Sequence, residues 1–396
     1  MKIVGDGNRR FFLGSAAAAG IALHTGTEAA ATTAAPRAVV HQTRVITPQA
    51  QHYCGWPTLT RRGNGELIVV WSGGREQHVC PFGRIEMMRS TDDGANWSWP
   101  RTVIDGASDD RDAGVTVTPK GTLLVTTFTS LAYESYELKR AIERRDSGDP
   151  KAWPAEKLDR WLRVHQRLTP EQRQSELGQW MVRSTDGGVS WSARIPTIVN
   201  SPHGPVNLAD GRQLYVGKQL WTDERRAGVC ESTDDGASWQ WIAEIPVRQG
   251  DAVKDYHELH AVETAGGRII VHIRNHNKPD AGETLQTESS DGGKSWSIPH
   301  SIGVWGLPSF LSRLTDGRLL MTYGHRRQPL GNQARVSSDE GQTWSDPMII
   351  SGDGTSSDLG YPSTVELADG HLLTVWYERM QGQTKAVLRQ ARWEIV

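Results

Sequence analysis

The chain is poor in cysteine, with three in 396 residues, Cys54, Cys80 and Cys230. So few, and odd in number, they exclude a disulfide-stapled scaffold and allow one pair at most. Excess charge is also missing. Lys plus Arg number 44 against 46 Asp plus Glu, a formal net charge of -2, so nothing in the overall balance favours nucleic acid or an anionic membrane. No stretch approaches the roughly twenty apolar residues that cross a bilayer. These absences leave an ordinary globular chain, with no membrane span and no nucleic-acid partner expected.

The N-terminal stretch NRRFFLGSAAAAGIALH sets Arg9 and Arg10 before a short Ala- and Gly-rich apolar run, and EAAATTAA follows. Paired arginines, a short apolar core and small residues are the features of a twin-arginine export signal. Residues 1–35 are expected to act as one, with a periplasmic or extracellular destination.

What the chain has in abundance is repetition. STDDGANW (90–97), STDGGVSW (184–191), STDDGASW (232–239), SSDGGKSW (289–296) and SSDEGQTW (337–344) all reduce to S-x-D-x-G-x-[T/S/N]-W. A second pattern recurs six times, an apolar strand, a polar turn closing on Gly, and another apolar strand, as in LTRRGNGELIVVW and VELADGHLLTVWYE. Its turn glycines stand at 65, 121, 211, 267, 317 and 370, where Gly supplies the positive φ of a hairpin turn. Recurrence at about fifty residues predicts one small sheet per unit, arranged radially. The sixth hairpin runs out of chain after KAVLRQARWEI. Residues 38–46 are therefore expected to pair with 386–395 and close the ring.

The spacing breaks once, between Gly121 and Gly211. The surplus, about 131–178, sets Leu158, Trp161, Leu162, His165 and Leu168 at helical intervals, and Thr169-Pro170-Glu171 reads as a helix start. The predicted fold is an all-β, six-bladed β-propeller over 38–396, with a helical insertion in blade two.

This arrangement resembles the sialidase superfamily, whose blades carry an Asp box of this form between their third and fourth strands. The resemblance implies that the repeated Asp is structural: it accepts backbone N–H bonds within the turn while Gly takes the left-handed conformation and Trp packs between strands. Strand direction alternates, so Asp boxes and Gly turns share one end of the barrel. The other end then collects His52, Cys54, Arg75, His78, Cys80, Arg111, Asp112, His203, Tyr256, His257, Glu258, Arg274, His276, His325, Arg326, Arg327, Tyr361 and Glu378. Polar groups converging over a propeller axis are how such folds build a site, and parity places the helical insertion there as a lid or wall.

A sialidase attacks with a Tyr activated by a Glu, because a neutral phenol can approach an anomeric carbon bearing a carboxylate. The resemblance assigns that Tyr to Tyr361 in DLGYPSTVELADG and the Glu to Glu258 in YHELHAVE. Arg274, with Arg327 or its neighbour Arg326, matches the carboxylate-binding arginines. Glu378 matches the acid that orients the first of those arginines, and Arg75 another substrate-contacting one. His203 and His257 are counted with the substrate-binding set. Two positions depart from the family pattern. Gly55, in Cys54-Gly55-Trp56-Pro57, replaces the first carboxylate-binding arginine, and residues 76–83, EQHVCPFG, hold no Asp to act as acid/base. His78 is the nearest titratable group.

His52-Tyr53-Cys54 and His78-Val79-Cys80 form two H-x-C units that parity brings together. A Cys54–Cys80 disulfide, a His/Cys metal site, and separate roles with His78 catalytic all suit them. The leading expectation is an exported exo-glycosidase releasing an acidic terminal sugar from a glycan or oligosaccharide, with no cofactor and no metal. A lyase cleaving uronate-containing polysaccharide and a glycan-binding propeller without turnover are its rivals.

Overall fold

The computed structural model describes residues 35–47, 51–278 and 280–396; the twin-arginine stretch lies outside them. Each apolar strand of the repeat pairs with its sequence neighbour, giving six antiparallel four-stranded sheets. Blade one starts with the inner strand Tyr53–Arg61, blade two with Asp109–Val117, blade three with Val206–Asn207, blade four with Tyr256–Glu263, blade five with Ser309–Arg313 and blade six with Leu359–Glu366. Ala38–Val45 pairs antiparallel with Ala386–Ile395 as the fourth strand of blade six, so the N-terminal segment closes the ring as the sequence suggests.

Six apolar clusters account for why the sheets stand radially. Leu67, Val69 and Trp71 of blade one pack with Leu373, Val375 and Leu388 of blade six, while Ile68 and Val70, on the opposite face of the same strand, pack with Val115 and Val125 of blade two. Comparable seams join blades two and three, three and four, four and five, and five and six. A strand buried on both faces cannot alternate apolar with polar; hence the near-continuous runs such as LIVVW.

The six turn glycines have φ between +82° and +90°. Asp boxes follow the third strands. At Asp339, Oδ1 accepts from Thr343 N at 2.9 Å and Oδ2 from Thr343 Oγ1 at 2.6 Å, while Ser337 Oγ donates to Oδ1 at 2.7 Å. Trp344 of this box donates to Gln286 in the preceding blade at 3.0 Å, and Trp97 of the first box donates to Gln390 in blade six at 2.7 Å. The boxes thus lock a turn and clip adjacent blades at the end remote from Tyr361.

Between Leu123–Ser130 and Gly178–Ser184 the chain runs through a π-helical turn, Glu134–Leu138, and three helices, Lys139–Asp146, Ala155–His165 and Pro170–Ser175. Thr169 caps the last in a capping box with Gln172. Leu158 and Trp161 bury against Cys80 and Tyr133, and Glu76 accepts from Arg160 at 2.5 Å and from Trp161 at 2.8 Å. These helices therefore grip residues 76–82, the loop that carries His78.

Candidate active site

Four inner strands break register near their first residues. In blades one, two and six two residues oppose one across the sheet, around Trp56, Asp112 and Tyr361. These three have φ of 54°, 49° and 53°, left-handed values that a bulky non-glycine residue adopts only when its surroundings enforce them. In blade four Glu258 is the single extra residue between His257 and Leu259. Bulges re-aim side chains, and these four turn a Trp, an Asp, a Glu and a Tyr out of the ladder at the same end of the barrel.

Tyr361 and Glu258 meet at the centre. The phenol donates to Glu258 Oε1 at 2.6 Å, and Arg274 Nη1 donates to that oxygen at 2.9 Å and to the phenol oxygen at 3.1 Å. Arg274 Nε donates to His276 Nε2 at 2.8 Å, and the His276 ring packs tilted against His257 with ring centroids 4.5 Å apart. Burial raises the Tyr361 pKa well above its ordinary value and the neighbouring Glu258 charge adds to this, so the phenol is neutral at rest. For Glu258 burial acts upward, but Arg274, His257, the Tyr361 hydrogen bond and His276 together outweigh it and hold the carboxyl below the usual range. A neutral phenol bonded to an ionised carboxylate is a nucleophile with its base in place.

An aromatic wall stands beside this centre. Tyr377 lies 5.9 Å from Tyr361 and 5.9 Å from Trp56, centroid to centroid, and Tyr53 lies 6.0 Å from Trp56. The Trp56 ring carries the Arg111 guanidinium at 4.5 Å and that of Arg75 at 5.0 Å. His78 meets the edge of Trp56 at 4.9 Å. Its Nδ1 is 3.0 Å from Asp358 Oδ1 and 2.8 Å from Tyr53 Oη, and Tyr53 donates to Asp358 at 2.9 Å. Burial, with the Arg111 charge beside it, lowers the His78 pKa below its ordinary value, and Asp358 offsets this only in part. Asp358, Tyr53 and Tyr377 belong to no catalytic motif, and no local pattern marks them as part of a site.

Asp112 is the other carboxyl at the centre. Burial pushes its pKa to about 7, Arg111 pulls it down and Glu258 pushes it further up. Its Oδ1 and Glu258 Oε2 are buried oxygens without a hydrogen-bond partner among the described residues. Two unpaired carboxylate oxygens around one Tyr suit a site that a ligand completes.

Residues 143–374 match the family model described as the BNR repeat-like domain. The chain belongs to that family. A sialidase of Micromonospora viridifaciens is 22% identical over 209 residues, covering 43% of this chain and 31% of that one, so the match spans under a third of that relative's length. Among solved structures, a protein of unknown function from Dyadobacter fermentans aligns with TM-score 0.72 at 21% identity, covering 91% of this chain and 99% of that one. A Hadza microbial sialidase aligns at 0.61 and 17% identity, covering 86% and 65%. The intramolecular trans-sialidase of Ruminococcus gnavus aligns at 0.57 and 13%, covering 87% and 94%. At such identities the structures establish the fold: this BNR protein is a sialidase-like six-bladed β-propeller.

Several side chains expected to bind substrate in this BNR propeller point elsewhere. Arg75 is fully buried, held by Asp109 at 2.6 and 3.0 Å and by Ser72 at 2.8 Å, and it donates to the His78 carbonyl at 3.0 Å. It braces the His78 loop instead of reaching a ligand. Glu378 is buried against Trp376 Nε1 at 2.8 Å and pairs with Arg389; one residue earlier on the same strand, Tyr377 takes the site-facing side, as alternation requires. Arg327 stacks over Trp305 at 3.8 Å, whereas Arg326, which donates to the Leu359 carbonyl at 3.0 Å, acts with Arg274 as a cation on Tyr377. His203 is 2% exposed, beneath Tyr361 in a group with His260 and Phe310. Burial takes its pKa down to about 3, so it is a neutral part of the floor. His257 does flank Glu258. Cys54 and Cys80 are both free and buried in different clusters, so the disulfide does not form. A side chain at Gly55 would crowd the Tyr53 ring, whose Cε1 would lie 3.1 Å from the new Cβ, so an arginine there would require that ring to shift.

The concavity of about 540 Å³ on the axis, lined by residues such as Leu59, Val117 and Thr364, opens toward the Gly turns. It lies beyond the His203–His260–Phe310 floor from the Tyr361 hydroxyl and takes no part in this chemistry.

Proposed function

We propose that the protein is a glycoside hydrolase that releases an acidic sugar from the end of a glycan through a tyrosyl intermediate. The contact of 2.6 Å between Tyr361 Oη and Glu258 Oε1 carries this reading. Arg274 Nη2 and the Arg326 guanidinium bind the sugar carboxylate. Tyr361 Oη attacks the anomeric carbon as its proton passes to Glu258, and the glycosidic C–O bond breaks. The leaving oxygen takes a proton from Asp112, the role sequence reasoning gave to His78. A group that titrates near 7 is partly protonated at neutral pH and regains a proton easily, which suits a general acid. Asp112 then removes a proton from the water that attacks the intermediate, and Tyr361 leaves with the proton held by Glu258.

His78, braced by Asp358, and the aromatic wall enclose the leaving side. The helices of 134–175 support the loop of His78 and wall the pocket, which favours chain ends over chain interiors. Twin-arginine export, the matching location and a glycan partner belong to the same proposal; the sialidase names among the relatives support the acidic sugar. An anomeric fluoride of an acidic sugar with a second fluorine beside it should arrest the intermediate. Mass spectrometry should then find one added glycosyl group on the peptide containing Tyr361. Turnover of the parent substrate with no such adduct, or an adduct on another residue, would reject the tyrosyl mechanism.

A further inference from the structure

Remote from this site, blade six carries three potential metal ligands on three adjacent strands. His41 lies on Ala38–Val45, Glu394 on Ala386–Ile395, and His371 directly precedes Leu372–Arg379. Their ligand atoms all lie within 4.8 Å of one another. His41 Nε2 is 3.0 Å from Glu394 Oε1, and the two imidazoles stand edge to face at 5.0 Å. We infer that His41, His371 and Glu394 form a divalent transition-metal site, most suited to zinc, that staples the closing strand of the propeller to its last blade.

Three independent features carry this. The register between Ala38–Val45 and its partner slips between Val40 and Gln42, so His41 is the extra residue of a bulge, the device that turns a side chain out of a ladder. His371 has a carboxylate beside it, Asp369 Oδ2 at 3.1 Å from Nδ1, and Nδ1 makes no hydrogen bond among the described residues, so the ring is held near negative charge with its nitrogens uncommitted. Two imidazoles and one carboxylate at partial exposure make a three-ligand set that zinc accepts, with water in the fourth position. The charge balance agrees, since Asp369 is engaged by Arg392, whereas Glu394 is paired only with His41, itself a ligand of the set, among the described residues. Because the ligands come from both sides of the ring closure, a bound ion resists the parting of Ala38–Val45 from the blade.

The test is calorimetric titration of the full chain with Zn²⁺ alone, paired with Co²⁺ absorption and thermal unfolding. One ion per chain should bind, Co²⁺ should give the intense visible bands of a four-coordinate site, and Tm should rise by about 4 °C at a hundredfold excess over Kd. His41→Ala and His371→Ala should each abolish the bands and the Tm rise, and Asp369→Asn should weaken binding about 10-fold. Turnover should be unchanged in all three. Absence of saturable binding, binding that survives both His substitutions, or binding without a Tm rise would overturn the staple.

Discussion

At the scale of single residues, the site works by opposing environments for chemically similar groups. Glu258 and Asp112 are both buried carboxyls, yet Arg274 keeps one ionised while the other lacks an equal partner and titrates near 7. Tyr361→Phe removes the attacking oxygen and keeps the ring, so kcat should fall on the order of 10³-fold or more while substrate still binds; steady-state kinetics with a binding isotherm measures both. The pH profile follows from the two shifts. Glu258 must be ionised and Asp112 protonated, so activity should fall on the acid side below the ordinary glutamate range and on the alkaline side above about pH 7. Asp112→Asn should abolish the alkaline limb and lose roughly 10²-fold or more with poor leaving groups, and far less with good ones. A limb that persists in Asp112→Asn but vanishes in His78→Ala would return the proton to His78.

At the scale of elements, the Asp boxes and the bulges divide stability from chemistry. Asp339→Ala removes three hydrogen bonds in one turn. It should lower stability by about 1 to 3 kcal/mol and leave kcat per folded molecule unchanged, as denaturant titration beside kinetics can establish. The boxes were legible in the sequence because the motif is local, its donors and acceptors lying within seven residues. The bulges were not. A bulge is a property of two strands and the barrel end they enclose, so Trp56, Asp112 and Tyr361 share a conformation that no shared letters announce. The family resemblance placed Glu378 in the site, but strand alternation turns it inward beside Trp376 and presents Tyr377 instead, and the rings that form the wall had no motif to reveal them.

At the scale of the whole molecule, the repeat spacing alone specifies six blades, since a strand apolar on both faces requires a neighbour on each side and the ring supplies it. The fourth strand missing from the sixth unit and the long gap in the second were equally plain, because both are departures from a count. What the count could not show was Arg75 sunk against Asp109, or His203 beneath the nucleophile, where packing between distant segments decides. Acid stability is a molecular property of the same kind. Burial opposes ionisation at Asp234 and Asp339, but hydrogen bonds within the boxes hold Asp92, Asp186, Asp234, Asp291 and Asp339 all below the usual range. A depressed folded pKa adds stability above the unfolded value, about 4, that is lost as pH falls through the folded values. Tm should therefore be level above about pH 5 and fall below pH 4, a dependence that Asp339→Asn should reduce.

The most direct measurement is the product formed from a glycan ending in an acidic sugar, in water enriched in ¹⁸O, read by mass spectrometry and ultraviolet absorption. Hydrolysis through Tyr361 should release a saturated acidic monosaccharide carrying one ¹⁸O at the anomeric position, with the remaining glycan unlabelled and no new absorbance. An unsaturated, ultraviolet-absorbing product without ¹⁸O would make the protein a lyase, and saturable binding with no product would make it a lectin; either would contradict the hydrolytic account.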